Sequence, residues 1–385
     1  MPQIGRKAVI VDAVRSPVGR GHPEKGQLRD VHPADLLGRC YVELLDRAAV
    51  DPAAVENVIA GCVFQVAEQA AGITRTAWLA KGLPEETGAT TVDIRCGSGQ
   101  QATHMAALSI AAGVNDVVVS GGIEHMGRVG FPVNEGAQEK WGRAFTPELL
   151  ERYDLVPQGE GAEMIADRWE ITRAEMDEWA LRSQQRAHEA TTSGAFAREI
   201  VPIDDIATDQ GIRPGTTLEG LGALKPAFRE EGRVTAGNSS QISDGAAALL
   251  LTSEEKAAEL GVRPRAEIVD QVVLGVDPVT MLTGPIPATR KILARNGMTM
   301  DDVDRVEINE AFASVVLAWA RELEPDLDRV NVRGGAIALG HPLGSTGARL
   351  ITTLLHTLED EDKEIGLVTM CCGGGLGTAT LIRRV

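Results

Sequence analysis

The chain carries one pattern of hydrophobic and polar positions twice. Short apolar runs, which predict buried strands, alternate with longer amphipathic runs, which predict helices, over residues 8–122 and again over residues 267–385. Such alternation predicts parallel, buried sheets, so we interpret the chain as a duplicated α/β fold. The alternative is the self-similarity that all α/β chains share. The matching segments are 9–14 and 267–272, 34–48 and 288–296, 55–58 and 303–306, 101–112 and 348–358, and 117–119 and 365–370.

The middle of the chain fits neither copy. Residues 164–190 predict one long helix, with acidic residues early and basic residues late, as the helix dipole favours. The surrounding loops are rich in Gly, Pro and Thr but are not repetitive, which favours an inserted cap domain over a linker. The predicted division is an N-terminal half over 1–122 (completed by 246–266), an inserted loop domain over 123–245 and a C-terminal half over 267–385.

Composition and charge narrow the class of partner. The 385 residues carry a net charge of −17, which argues against nucleic acid or an anionic membrane surface as the main ligand. No apolar run approaches the roughly 18 residues of a membrane span, and the first residues predict a short tail entering a strand at 8–11. We therefore expect a cytoplasmic protein. Its five cysteines include no C-x2-C pair, which predicts thiols and no metal site.

Cys96 is the first candidate for chemistry. It stands between a predicted strand and the glycine-rich start of a helix, where free backbone N–H groups and the positive end of the helix dipole gather. This environment predicts a lowered thiol pKa and a nucleophilic sulfur. The alternative is a small buried hydrophobic residue, which describes most free cysteines.

Three further residues follow strands of the second copy. His341 lies among glycines in the turn that corresponds to the Cys96 turn, and a buried, hydrogen-bonded histidine is the alternative. Cys371 ends an apolar strand just before Gly373, where glycines let a substrate approach backbone N–H donors. Asn309 is interpreted as a group that holds a water or polarises a carbonyl, or else as a helix cap.

Four motifs around these residues resemble the signature blocks of the thiolase family. They occur in family order, and the similarity covers essentially the whole chain. The resemblance implies an α/β thiolase fold of duplicated halves, each with a mixed five-stranded sheet, layered α-β-α-β-α, with an inserted loop domain. The motifs are Cys96-Gly-Ser-Gly, Asn309-Glu-Ala-Phe-Ala, Gly335-Ala-Ile-Ala-Leu-Gly-His-Pro-Leu-Gly and Cys371-Cys-Gly-Gly-Gly.

The resemblance also implies a role for each site residue. Cys96 is expected to be the nucleophile that becomes acylated, and His341 to activate it. His341 and a water held by Asn309 are expected to stabilise the enolate of the leaving acetyl-CoA, while Cys371 exchanges protons with that enolate and with incoming CoA. The backbone N–H groups of Cys96 and Gly373 are expected to bind the oxyanion of acyl transfer.

The inserted domain is expected to bind coenzyme A, which serves as co-substrate; no tightly bound cofactor is expected. In the resemblance, Arg213 lies near the nucleotide and Phe228 beside the adenine. Ala236 and Ser240 lie along the pantetheine, and the acyl pocket is flanked by Met281 and Phe312.

The implied function is thiolytic cleavage of a 3-ketoacyl-CoA in fatty-acid or steroid side-chain β-oxidation. The partners are acyl-CoA and CoA, with a homodimer or homotetramer expected and a β-oxidation partner subunit left open. The motifs are most similar to those of actinobacterial thiolases acting on steroid side chains, and Pro157-Gln158 stands where short-chain thiolases usually carry His-Met. The alternatives are a biosynthetic acetyl-CoA acetyltransferase and a noncatalytic acyl-CoA-binding scaffold.

Overall fold

A computed structural model describes residues 5–385. The strand predicted at 8–11 is present within a longer strand, whereas the tail predicted before it falls partly on residues 1–4, outside the described range. The strands are β1 (Ala8–Arg15), β2 (Gly19–Arg20), β3 (Asn57–Gly61), β4 (Gly88–Val92), β5 (Val117–His125), β6 (Ser243–Ser253), β7 (Ala266–Gly275), β8 (Arg305–Ile308), β9 (Ile365–Cys372) and β10 (Leu376–Arg384).

Thirteen α-helices accompany these strands in the described part of the chain. Within residues 5–385, no helix combines the length and apolar character needed to cross a membrane. The helices are α1 (Pro33–Ala48), α2 (Ile73–Leu79), α3 (Ser98–Ala111), α4 (Phe131–Trp141), α5 (Pro147–Arg152), α6 (Gln158–Arg168), α7 (Arg173–Thr192), α8 (Leu218–Gly222), α9 (Glu254–Leu260), α10 (Pro285–Arg295), α11 (Ala313–Leu323), α12 (Ala336–Leu339) and α13 (Leu343–Asp360).

The order of the strands confirms the predicted duplication. The first copy pairs in the order β4-β3-β5-β6-β1, and the second in the order β8-β9-β10-β7, so β3 corresponds to β8, β5 to β9, β6 to β10 and β1 to β7. Within each copy, parallel pairs adjoin antiparallel ones, which makes a mixed sheet. The two copies meet where β1 pairs with β7 at only two positions.

The second copy has a shorter edge than the first. In place of a strand corresponding to β4, Val330 makes an isolated parallel bridge to Val306. The chain then turns sharply, because Asn331 and Gly334 both adopt positive φ, at 47° and 76°. The predicted five strands are therefore complete in the first copy, and a single bridge takes the fifth place in the second.

Two central helices, α3 and α13, pack against strands of both copies and against one another. Glycines make this packing close: a Cβ on Gly99 would lie 2.7 Å from the carbonyl oxygen of Gly344. Because both helices begin at this crossing, the residues just before them lie at the same end of the molecule. The sequence places Cys96 before α3 and His341 before α13.

The inserted segment lies between β5 and β6, so it runs from residue 126 to 242. The single helix predicted over 164–190 is wrong, since the structure has α6 and α7 with a break between them. Glu170 adopts a positive φ of 50° at the break, and Thr172 and Glu175 form a capping box that starts α7. The capping residues were readable from the sequence, but the continuous apolar pattern obscured them.

Candidate active site

Cys96 is held in a tight turn between β4 and α3. The preceding residue, Arg95, has a left-handed φ of 59°, which few residues other than glycine adopt. Its backbone is fixed on both sides: its N–H donates to Asp93 Oδ1 at 2.8 Å, and its carbonyl accepts from the Ser98 hydroxyl at 2.5 Å. The turn therefore presents the buried Cys96 at the amino end of α3.

Cys371 lies on β9, close to the same helix end. Gln100, in the first turn of α3, donates to Val368 O at 3.3 Å and to Thr380 Oγ1 at 2.5 Å, which ties the helix to β9 and β10. Burial raises the pKa of the Cys371 thiol, and a negative charge on Cys96 raises it further. The structure thus brings the two predicted reactive thiols into one site.

The pKa of the Cys96 thiol is raised to about 11, because burial penalises the thiolate. The backbone N–H groups of Gly373 and of Cys96 itself donate to the sulfur and oppose this effect, as does the charge of Arg95. The predicted lowering of the thiol pKa is therefore wrong for the free protein, since desolvation outweighs the donors. The donors are nevertheless aimed where an oxyanion forms during acyl transfer.

His341 is neutral in the free site. Burial, and secondarily the charge of Arg349, lower the pKa of its imidazole to about 3. Its Nδ1 lies 2.6 Å from Thr346 Oγ1, and that hydroxyl donates its one hydrogen to Pro342 O at 2.8 Å. Nδ1 must therefore carry the ring proton and donate it to Thr346, which leaves Nε2 as an unprotonated base.

Asn309 completes the imidazole's surroundings. Its Nδ2 lies 3.3 Å from His341 Nε2 and donates to it, whereas its Oδ1 is buried without a partner among the described residues. A water donating to that oxygen would satisfy it, as the predicted role requires. The helix-cap alternative does not hold, because α11 begins at Ala313 with Phe312 at its cap position.

Two buried carboxylates fix the backbone around these groups. Glu310 follows Asn309 and binds several segments at once, and burial raises its pKa. Glu124, the penultimate residue of β5, likewise binds several segments, and burial raises its pKa to about 7. The donors to Glu310 are Trp179 Nε1 (3.1 Å), Ser183 Oγ (2.6 Å), Asn331 Nδ2 (2.9 Å) and Ile337 N (3.1 Å). The donors to Glu124 are Val63 N (2.9 Å), Phe64 N (3.1 Å), Gln69 Nε2 (2.7 Å) and Gly344 N (3.0 Å).

A buried ion pair lies one step farther along the same elements. Arg349 Nη1 is 3.6 Å from Glu307 Oε2, and neither side chain is more than 2% exposed. Glu307 precedes Asn309 by two residues, so the two side chains leave the chain on the same side. Burial raises the pKa of Glu307 to about 8, with the Arg349 charge opposing it. The pair thus joins β8 to α13 beside the Asn309–His341 contact.

A cavity of about 400 Å³ opens in front of Cys96. Most of its wall is apolar, the inserted segment supplies eight of the seventeen lining residues, and Gly373 borders it beside the sulfur. Phe64 and Phe131 stack edge to face on one side, with ring centroids 5.0 Å apart. The lining residues are Val63, Phe64, Arg95, Cys96, Phe131, Asn134, Phe145, Leu149, Leu155, Val156, Pro157, Gln158, Pro278, Met281, Leu343, Gly373 and Gly374.

The residues predicted to contact substrate are placed as follows. Met281 is buried and lines this cavity, and Phe312 stacks edge to face on Phe228 at 6.1 Å. Ser240 donates its N–H to Ala311 O at 2.9 Å, next to Phe312. Ala236 and Arg213 are exposed on loops of the inserted segment. Their contacts with CoA remain predictions.

Sequence reasoning missed Thr346, Glu124 and the Arg349–Glu307 pair. Thr346 stands five residues after His341, in the turn before the helix predicted over 348–358, so its position is a usable signal. Glu124 and Glu307 are acidic residues within apolar strand patterns, which is itself unusual. Their partners come from distant segments, and no local pattern identifies those.

Comparisons with known proteins agree with this geometry. The family model described as "Thiolase, N-terminal domain" matches residues 8–255, and that described as "Thiolase, C-terminal domain" matches residues 262–384. A steroid 3-ketoacyl-CoA thiolase of Mycobacterium tuberculosis is 45% identical over 391 residues, covering 98% of this chain and 94% of that protein. A 3-ketoacyl-CoA thiolase of Shewanella loihica is 44% identical over 395 residues, covering 98% and 100%.

A solved structure is similar over the full length as well. The crystal structure of the Bacillus anthracis acetyl-CoA acetyltransferase superposes with a TM-score of 0.91 at 40% sequence identity, and each chain is covered completely.

Proposed function

Because the chain belongs to the thiolase family, we propose that it catalyses the CoA-dependent cleavage of a 3-ketoacyl-CoA to acetyl-CoA and a shortened acyl-CoA. The names of its relatives from Mycobacterium and Shewanella support the degradative direction. The observation that carries the proposal is the meeting of two buried thiols, Cys96 and Cys371, at a site that also holds a neutral imidazole.

The first step forms an acyl-enzyme on Cys96. His341 Nε2 accepts the thiol proton, and the sulfur attacks the 3-keto carbon. The oxyanion that forms on the keto oxygen is bound by the N–H groups of Cys96 and Gly373, which already point at the sulfur in the free site. Because the thiol pKa is about 11, the thiolate forms only as the proton moves to the imidazole.

Collapse of this intermediate breaks the bond between carbons 2 and 3 of the substrate. The electron pair passes to the thioester oxygen of the departing acetyl-CoA as an enolate, which accepts hydrogen bonds from protonated His341 Nε2 and from a water held by Asn309 Oδ1. Cys371 then donates a proton to carbon 2. Its raised pKa keeps it protonated until a strongly basic carbanion needs the proton.

The second half-reaction reverses these roles. Cys371, now a thiolate, takes the proton of the incoming CoA thiol, and the CoA sulfur attacks the acyl carbon. Cys96 leaves as a thiolate and recovers its proton from His341. Thus two thiols and one imidazole are restored at the end of each turnover.

The size of the cavity favours cleavage of longer substrates over acetyl transfer alone. Its volume of about 400 Å³ is an order of magnitude above the ~30 Å³ that one water occupies in the liquid. An acetyl group leaves most of that space empty, whereas a longer acyl chain fills its apolar wall. The scaffold alternative has no use for Cys96, His341 and Cys371 together.

Thiolysis of a 3-ketoacyl-CoA series from four to twelve carbons tests the proposal. We expect CoA-dependent loss of the 3-keto absorbance, with kcat/KM higher for six or more carbons than for acetoacetyl-CoA. Cys371→Ala should still form acyl-enzyme but exchange the methyl protons of acetyl-CoA at least 100-fold more slowly. Failure of the wild-type protein to cleave any member of the series would exclude the thiolase activity.

We further propose that the protein is a cytoplasmic homo-oligomer that requires no tightly bound cofactor. The edge strand β4 is partly exposed, and α4 and α5 expose large apolar side chains, both of which favour association of copies. Light scattering coupled to size-exclusion chromatography distinguishes a dimer or tetramer from a monomer. Five cysteines kept as buried thiols fit a reducing compartment, which cell fractionation tests.

A further inference from the structure

Arg95 is the one charged residue among those that line the cavity in front of Cys96. The other lining residues are apolar or small, apart from the side-chain amides of Asn134 and Gln158 and the Cys96 thiol. Gln158 lies on the same side as Arg95: a Cβ added to Gly373 would approach the Gln158 amide and lie 3.9 Å from Arg95 Cγ. A cation and an amide therefore flank the glycine that donates to the nucleophile.

The Arg95 guanidinium is only weakly paired with other groups of the protein. Its ion pair with Asp93 is long, at 3.8 Å, and 47% of its side chain is exposed. The Arg95 backbone, in contrast, is held firmly, because hydrogen bonds to Asp93 and from Ser98 fix its left-handed φ. A strained backbone that holds a weakly paired cation beside a nucleophile is typical of a ligand-binding role.

Arg95 does not bind the phosphates of CoA. In the acylation step the substrate carbon bonded to Cys96 is separated from those phosphates by the whole pantetheine arm. Arg95 is the chain neighbour of Cys96, so its guanidinium reaches only groups close to the reacting carbon or on the acyl chain. Arg95 lines the cavity in front of Cys96. Because the proposed function places the acyl chain in that cavity, the acyl chain is the part of the substrate that Arg95 contacts.

We propose that Arg95 selects acyl groups that carry a carboxylate, so that the substrate class is the CoA thioester of a 3-keto dicarboxylic acid. This proposal rests on the proposed thiolase activity. The guanidinium binds the carboxylate by charge-assisted hydrogen bonds, which Gln158 or Asn134 can supplement, while the methylene chain lies against the apolar wall. Arg95 is thus a specificity-determining residue and takes no part in the bonds that form and break.

The test compares pairs of 3-ketoacyl-CoA substrates of equal length, one ending in a carboxylate and the other in a methyl group. The pairs are 3-ketoadipoyl-CoA with 3-ketohexanoyl-CoA, and 3-ketosuberoyl-CoA with 3-ketooctanoyl-CoA. For at least one pair, the wild-type protein should prefer the carboxylate in kcat/KM. Arg95→Gln should lower that preference about 10- to 100-fold, as loss of a charge-assisted hydrogen bond predicts, whereas Arg95→Lys should retain part of it.

Asp93→Asn supplies the matched control. It keeps the oxygen that accepts from the Arg95 backbone but removes the competing charge, so the preference for carboxylate should rise. A ratio that Arg95→Gln leaves unchanged, with both substrates slowed equally, means that Arg95 only shapes the turn and overturns the proposal. Wild-type protein that cleaves methyl-ended substrates alone overturns it while leaving the thiolase activity intact. Protein that cleaves neither kind overturns both.

Discussion

The tautomer of His341 depends on one hydroxyl, that of Thr346. Thr346→Val removes the hydroxyl while keeping the branched shape, so the buried Nδ1–H loses its acceptor. The loss of a buried donor's partner costs about 1–3 kcal/mol. The penalty is greatest when the ring is an imidazolium, because the bond to Thr346 is then charge-assisted. At about 1.4 kcal/mol per factor of ten, we expect kcat/KM to fall about 10- to 100-fold.

Steady-state thiolysis and the rate of acyl-enzyme formation measure this effect, with Thr346→Ser as the control. Serine keeps the hydroxyl that accepts from Nδ1, so its kcat/KM should stay within about threefold of wild type. The Pro342 carbonyl retains other donors, the N–H groups of Ser345 and Thr346, and both variants should therefore remain folded at the assay temperature. Equal activity of the valine and serine variants would refute the assignment of the proton to Nδ1.

Three further predictions follow from the buried charges. Because the pKa of Cys96 is about 11, the rate of its alkylation by iodoacetamide should rise about tenfold per pH unit from pH 7 to 10. A thiolate–imidazolium pair would instead give an alkylation rate that is constant near neutral pH. Glu307, with a pKa of about 8, is ionised at pH 9, where Arg349→Met leaves it without its counter-charge and should lower the free energy of unfolding in urea by about 3 kcal/mol. Adding Glu307→Gln should restore most of that loss; an equally unstable double variant contradicts the pairing. Because the pKa of Glu124 is raised in the folded protein, its contribution to stability is complete below about pH 4.5 and is lost as pH rises through about 7. The unfolding free energy should therefore fall less between pH 5 and 7.5 in Glu124→Gln than in wild type. Parallel curves for the two proteins would show that Glu124 does not titrate in this range.

The features that the sequence predicts correctly are those encoded in the local pattern of apolar runs and glycine-rich turns. The repeated alternation of apolar runs gave the two copies, and the strand order shows the correspondence of β3 with β8 and of β5 with β9. Cys96 and His341 stood out because each interrupts a glycine-rich turn before a helix. The packing of those helices at Gly99 and Gly344 then brings the two turns together.

The features that sequence reasoning missed depend on burial and on distant partners. The helix end alone predicts a lowered pKa for the Cys96 thiol, but desolvation at the same position outweighs it, so the predicted direction is wrong. The tautomer of His341 follows from the Thr346 hydroxyl, which donates its own hydrogen to the Pro342 carbonyl, and only the folded structure brings these groups together. The Arg349–Glu307 pair joins residues 42 positions apart in the chain.

Mass spectrometry shows directly whether Cys96 carries the acyl group. The protein is mixed with a 3-ketoacyl-CoA in the absence of free CoA, quenched in acid, weighed intact and then mapped by peptides. We expect one acyl adduct on the peptide containing Cys96, release of acetyl-CoA, and no adduct in Cys96→Ala. An adduct on Cys371, or release of acetyl-CoA with no adduct at all, would mean that Cys96 is not the acyl-carrying nucleophile.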